Sequence, residues 1–151
     1  MSHFKTTRKG IVASFTPDEQ MFLGDVLPLL AGIGAVGVDP AATRLNVPVY
    51  LDDPESNEEW WRLMGPELGD GRKGDRHLFS KVVGSKGPVT LSDDEADSIL
   101  RVLNEARLAL GARIGIEVEE DHDRVSVEGR QALDFLGWIQ EELTVELTRA
   151  L

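Results

Sequence analysis

Two arginines interrupt the apolar face of a predicted helix in the segment LNEARLALGARIGI, residues 103–116. A guanidinium presents its N–H donors in a planar fork that matches the two oxygens of a carboxylate or phosphate. Arg107 and Arg113 could therefore line a polar pocket that binds an anion. Asn104 on the same helix and Gln140 on the last predicted helix would add amide groups to that pocket. Such a pocket would suit a small-molecule or anion sensor, or an enzyme.

The alternative interpretation is that both arginines are structural. An unpaired buried guanidinium is too costly to persist, so each arginine needs an acceptor or access to water. Arg113 lies near the C-terminus of its predicted helix, where the helix dipole favours a cation. Gln140 or Asp134 on the last helix would be the acceptor where the two helices pack. We favour this structural interpretation over the pocket.

The tryptophans provide a second set of candidate binding residues. Trp60 and Trp61 are adjacent, so we expect only one of them to enter the core. The other, which we take to be Trp60, is a candidate anchor for a protein partner. Trp138 and Val145 lie on the side of the last predicted helix away from its main apolar stripe. This second strip predicts either a partner or homodimer contact, or packing beneath an N-terminal hairpin.

Other motifs do not support a catalytic, cofactor or metal site. GIGAVG, residues 32–37, matches a dinucleotide-binding pattern, but a capped helix precedes it where that chemistry needs a strand. EEDHD, residues 119–123, lacks the spacing of a calcium loop and is typical of a solvated acidic loop. His3, His77 and His122 lie in polar or terminal segments, and the serines have no histidine partner at a recognisable spacing. We therefore expect no catalytic residue, no cofactor and no metal.

The composition narrows the class of protein. A net charge of −11 over 151 residues disfavours binding to nucleic acid or anionic lipid, because both reward basic surfaces. The longest apolar stretch, residues 26–38, is too short to span a bilayer. The absence of cysteine excludes disulfides and fits a reducing compartment, and no apolar core follows the basic N-terminus. These features predict a cytoplasmic protein.

Turn and capping signals divide the first third of the chain. Residues 4–15 alternate loosely around Lys9-Gly10, which predicts a β-hairpin. The segment from Thr16 to Glu19 is a capping box and opens a helix that should fade from Gly32 onward. A looser, proline-marked segment is expected to follow as far as Leu51.

The middle of the chain is predicted to be broken. Asp53-Pro54 should open a short acidic helix through Met64, and Gly65-Pro66 should stop it. Residues 69–87 contain several glycines that oppose a long helix, so we expect a mobile lead-in and a short helix there.

The C-terminal half is predicted to supply the main helices. A second capping box, from Ser92 to Glu95, opens a helix to about Ile114 whose apolar sector is wide enough for a central element. The last helix should run from about Gly129 to Arg149. The sequence thus predicts a mainly α fold and one domain, residues 1–151. In that domain a hairpin (residues 1–15) precedes a helical bundle (residues 16–151).

Three motifs carry a family resemblance. The pattern leucine-asparagine-x-x-arginine-leucine-x-leucine-glycine-x-arginine occupies residues 103–113, and a tryptophan-x-glutamine element occupies residues 138–140. A proline-tyrosine-aspartate region is carried by Pro48, Tyr50, Asp52 and Asp53. Over most of its length the chain resembles an actinobacterial family of domains of unknown function, number twenty-seventeen. Relatives tend to have a continuous basic helix where this chain has residues 69–74.

The resemblance implies no assigned activity. It implies genes that often lie beside the gene for the Clp protease adaptor, and hence a role near regulated proteolysis. Together with the acidic composition and the surplus tryptophans, it predicts an adaptor or regulator that binds a protein of unknown identity. The sensor or enzyme built on an arginine-lined pocket is the alternative.

Overall fold

The computed structural model describes residues 2–33, 39–45, 52–114 and 127–150, with the side chains of all of these except residues 43 and 66–69. Within these ranges the chain forms six helices and three strands. In chain order they are β1 (Phe4–Thr7), β2 (Gly10–Ala13), α1 (Pro17–Gly24), α2 (Val26–Ala31), α3 (Pro40–Leu45), α4 (Pro54–Val83), β3 (Val89–Leu91), α5 (Asp93–Arg113) and α6 (Val127–Ala150). The predicted mainly α fold with an N-terminal hairpin is confirmed.

The hairpin is part of a small antiparallel sheet in the order β1-β2-β3. Thr7 pairs with Gly10, so the two-residue turn lies one position earlier than the sequence suggested. Gly10 has a φ of 141°, and an added Cβ would overlap the carbonyl oxygen of Leu91 on β3. The third strand was not predicted, because three residues are too few to show an alternating pattern.

The capping box that opens α1 is confirmed, since the Thr16 side chain accepts from the backbone N–H of Glu19 and the Glu19 side chain accepts from that of Thr16. The predicted single helix is divided at Asp25 into α1 and α2. Pro28 accounts for the break, because a proline ring clashes with the carbonyl four residues earlier. Helix α3 lies in the segment that was expected to be looser and proline-marked, and it was not predicted. Residues 34–37 of the GIGAVG motif lie outside the described residues.

Helix α4 contradicts the prediction that Gly65-Pro66 stops a short helix. It runs without interruption for 30 residues, from its cap at Asp53 to Val83. Its C-terminal half is fixed to α5, where Phe79 is buried and Arg76 pairs with Glu105 at 2.8 Å. Tertiary packing of this kind outweighs the local cost of helix glycines, which is about 1 kcal/mol each.

Helix α5 is the centre of the core, as its wide apolar sector predicted. It contacts α2, α3, α4, α6, β2 and β3. Ile99 and Leu103 on α5 and Ile139 on α6 are at most 1% exposed and belong to one cluster of buried residues. The two C-terminal helices therefore pack as predicted. Among the residues described, no helix is both long enough and apolar enough to cross a membrane.

The continuity of α4 can be tested at two exposed glycines. At Gly71 and Gly74 an added Cβ would meet no atom within 4 Å, so alanine should fit and favour the helix. We expect the double substitution Gly71→Ala, Gly74→Ala to raise the free energy of unfolding in urea by roughly 1–2 kcal/mol. Gly10→Ala should lower it, because of the positive φ and the overlap with Leu91. A free energy that the α4 substitutions leave unchanged or lower would contradict a continuous helix.

Candidate functional site

Arg113 ties the end of α5 to the segment that follows α2. Its guanidinium donates to the carbonyl of Gly32 at 3.0 Å and to Asp39 Oδ2 at 3.1 Å. About a third of the arginine side chain is exposed (30%), whereas Asp39 is better covered (15%). The acceptors of Arg113 are therefore Gly32 and Asp39, and neither Gln140 nor Asp134, which were expected to meet an arginine where the last two helices pack, accepts from this one.

Asn104 and Gln140 bind each other. The Gln140 side chain donates from Nε2 to Asn104 Oδ1 at 3.2 Å, across the contact between α5 and α6. Gln140 Oε1 is buried and has no partner among the described residues. The two amides therefore link two helices, and they do not join Arg113 in the single polar pocket that the sequence suggested.

Arg107 does lie in an open cleft between α5 and α6, which we call the α5–α6 cleft. Its volume is about 510 Å³, and its lining includes Arg44, Arg107, Gly111, Gly137, Trp138 and Glu141. The Arg107 side chain passes over Gly137, where an added Cβ would lie 3.7 Å from Nη1. Of the four polar residues expected to share one pocket, only Arg107 lines this cleft, and Trp138 lines it too.

Trp138 and Val145 are 58% and 45% exposed on α6. Both line a second depression of about 430 Å³, together with Phe4 of the N-terminal strand. The strip therefore borders the N-terminal hairpin but is not buried beneath it, and whether it binds a partner or a second copy of the chain stays a prediction. Trp138 lines both depressions and forms the ridge between them.

Trp60 and Trp61 are both half-buried and lie edge to face, with ring centroids 4.9 Å apart. The prediction that one of them enters the core is wrong, because neither belongs to the buried cluster or packs directly against it. On the same turns of α4, Leu63 is 62% exposed and Met64 is 37% exposed.

The packing of α4 accounts for this exposure. Its ion pairs with α5, Arg76 with Glu105 and Asp75 with Arg101, lie in its second half, and its buried side chains among the described residues lie between residues 79 and 83. Within the described residues, no side chain of the first three turns of α4 is buried.

His3 forms a buried cluster that the sequence did not reveal. The residue is 5% exposed. Its ring Nδ1 lies 2.9 Å from Glu142 Oε2, and Nε2 lies 2.5 Å from Glu19 Oε2. The backbone N–H groups of His3 and Phe4 both donate to Glu142 Oε1, at 2.6 and 3.2 Å. The partners of the ring lie 16 and 139 residues away, so no local spacing could indicate them.

The protonated imidazolium suits this position, since each ring nitrogen can then donate to a carboxylate. Burial lowers the pKa of His3, but the hydrogen bonds to Glu142 and Glu19 raise it by more, so the pKa lies above 6.5. Burial raises the pKa of Glu19, and the backbone N–H of Thr16 together with His3 lowers it by more, to below 4.5. We call this group of His3, Glu19 and Glu142 the His3 clamp.

The His3 clamp also supports Trp138. The imidazole and indole rings meet edge to face with centroids 5.1 Å apart, and Phe15 and Phe135 lie 5.8 and 5.9 Å from the imidazole. One side of the Trp138 indole therefore contacts aromatic rings, and the rest of it is exposed to solvent. Among the described residues, no group of three or more histidine, cysteine or acidic side chains could hold a metal ion; the EEDHD segment lies outside them.

The chain matches one known protein family. A family model described as a domain of unknown function (DUF2017) matches residues 1–147. The chain belongs to this family. The resemblance inferred from the C-terminal motifs is confirmed to that extent. Searches of the curated proteins and of the solved structures found no match to this DUF2017 domain.

The His3 clamp predicts a specific pH dependence of stability. Its folded pKa is raised above 6.5, so its contribution is complete below about pH 6.5 and is lost as the pH rises through the raised value. We expect His3→Gln to lower the free energy of unfolding by about 2–3 kcal/mol near pH 6, as for hydrogen bonds to charged groups, and by less near pH 9. Urea unfolding across this range measures the difference.

The matched control is His77→Gln, an exposed histidine on α4, which should show no such trend. A difference between wild type and His3→Gln that stays constant or grows with pH would contradict a protonated clamp.

Proposed function

We propose that this DUF2017 domain is a protein-binding adaptor or regulator that docks its partner on the first three turns of α4. These turns, residues 54–65, are called the α4 end. The observation that carries the proposal is an exposed apolar stripe at the start of a helix whose buried side chains, among the described residues, all lie near its other end. Exposed apolar surface of this kind is costly in a soluble protein unless it meets a partner.

The stripe has the composition of a binding helix. Trp60, Leu63 and Met64 are spaced three and four residues apart, so their side chains share one face. Leu63 is the most exposed of them at 62%, and Trp60 and Leu63 line a shallow depression of about 480 Å³ with Glu59. Tryptophan in such a position is among the residues that contribute most to protein–protein affinity.

The charges around the stripe define the partner. The α4 end and the two residues before it contain five acidic residues, Asp52, Asp53, Glu55, Glu58 and Glu59, of which Glu55 and Glu59 line the depression with Trp60. The one cation of the α4 end, Arg62, is already held by Glu59 through two hydrogen bonds of 2.5 and 3.1 Å. A complementary partner is a basic amphipathic segment, whose apolar face covers the stripe while its lysines or arginines meet the acidic rim.

The proposal includes a cytoplasmic setting near Clp-dependent proteolysis. The absence of cysteine supports a reducing compartment, and the family resemblance implies genes beside the gene for the Clp protease adaptor. A basic amphipathic segment of a protein in that system is therefore the partner we would test after the model peptide described next.

The proposal is tested with a synthetic 18-residue amphipathic peptide of lysine and leucine, and with a glutamate and leucine peptide of the same pattern. Isothermal titration calorimetry of the full chain should show binding of the basic peptide that weakens from 50 to 300 mM salt, and no binding of the acidic one. We expect the double substitution Trp60→Ala, Leu63→Ala to weaken binding of the basic peptide more than tenfold, which corresponds to about 1.4 kcal/mol or more.

The matched control is Met21→Ser on α1, which removes a side chain that is 73% exposed but lies away from the α4 end. It should leave the affinity unchanged. Equal affinities for wild type and the double variant would sink the proposal. So would light scattering that shows a dimer of wild type and a monomer of the double variant, because the α4 end would then bind a second copy of the chain.

A further inference from the structure

Two helix glycines, Gly111 and Gly137, line the α5–α6 cleft, and no close contact within the described residues requires a glycine at either position. Glycine within a helix is unfavourable, and it is usually explained by the close approach of a neighbour. Gly111 is buried on α5, yet an added Cβ would meet no atom of the described residues within 4 Å. At Gly137 on α6, the nearest contact would be the Arg107 side chain at an ordinary 3.7 Å. Both glycines therefore keep the cleft open.

Four charged side chains line this cleft: Arg44, Arg107, Asp134 and Glu141. Among the described residues, Arg107 and Glu141 have neither a hydrogen bond nor an ion pair. A guanidinium in a cleft offers a planar fork to a carboxylate or phosphate. A carboxylate nearby offers an acceptor to an N–H group. A ligand that carries an anionic group and an N–H donor would satisfy both side chains.

Trp138 adds a flat apolar wall to this cleft. Its indole is 58% exposed and is held from behind by His3 and Phe135. An aromatic ring fixed on one side and open on the other is a stacking surface for a planar ligand. The volume of about 510 Å³ is within the range of pockets for small molecules.

We propose that the α5–α6 cleft binds a small organic anion built on a flat ring. Its anionic group pairs with Arg107, its ring stacks on Trp138, and an N–H donor on the ring binds Glu141. A nucleoside monophosphate and an aromatic amino-carboxylate share this chemistry. The site is independent of the protein-docking proposal, since no residue of the α4 end lines this cleft.

The test follows the indole N–H signals of the three tryptophans by NMR, with Trp138→Phe identifying its signal. The probes are adenosine 5′-monophosphate and 4-aminobenzoate, and their uncharged counterparts adenosine and 4-aminobenzamide. We expect at least one anionic probe to shift the Trp138 signal saturably and to bind at least tenfold more tightly than its counterpart. Which anion binds distinguishes a nucleotide from an aromatic carboxylate.

Variants test the assigned roles. Arg107→Gln should weaken binding of the anionic probe at least tenfold, while Arg8→Ala, in the exposed hairpin turn, should not change it. Gly111→Leu should fill the cleft and abolish binding without lowering the melting temperature, and Gly111→Ala provides a smaller change if the leucine variant is unstable. The proposal is overturned if no probe shifts the Trp138 signal at 10 mM, if only the signals of Trp60 and Trp61 move, or if Arg107→Gln binds as wild type does.

Discussion

The packing of α5 is the constraint on which the other described elements depend. Ala96, Ala106 and Ala109 are completely buried on this helix, and such small side chains let neighbouring helices and strands approach closely on several sides. Elements as different as α3, α6 and β2 contact it. Because the apolar sector is used all along α5, polar residues are left only at its margins and its end. Arg107 at a margin therefore borders a cleft, and Arg113 at the end meets Gly32 and Asp39.

The parts of the fold that could be predicted are those determined by residues close together in the sequence. The capping boxes at Thr16 and Ser92 involve residues three positions apart, and both helix starts lie where the sequence placed them. The continuity of α4 was not predicted, because its glycines and proline indicate only the local free-energy cost of a helix. The contacts that compensate for this cost come from α5, 26 to 29 residues away along the chain. Strand β3 was missed for the same reason, since it is defined by its pairing with β2.

The candidate site shows the same division. A helical wheel was enough to set Trp138 and Val145 away from the main apolar stripe of α6, but it left open whether the hairpin covers them; both are exposed. It could not assign partners to the arginines, because the acceptors of Arg113 are Gly32 and Asp39, which precede it in the chain by 81 and 74 positions. The cluster around His3 could not be predicted either, because its acceptor Glu142 lies on the last helix and meets His3 only in the folded chain.

The two proposed surfaces rest on different kinds of support. The α4 end has no buried side chain, so its helical form depends on the Asp53 cap, whose carboxylate accepts from the Ser56 N–H at 3.0 Å, and on continuity with the packed C-terminal half. The α5–α6 cleft lies against the core, and Trp138 is held by the His3 clamp, which joins β1, α1 and α6. A ligand in the cleft would therefore meet a preorganised wall, so the protein would lose little conformational entropy on binding, whereas a partner on the α4 end must itself cover side chains that no described element buries.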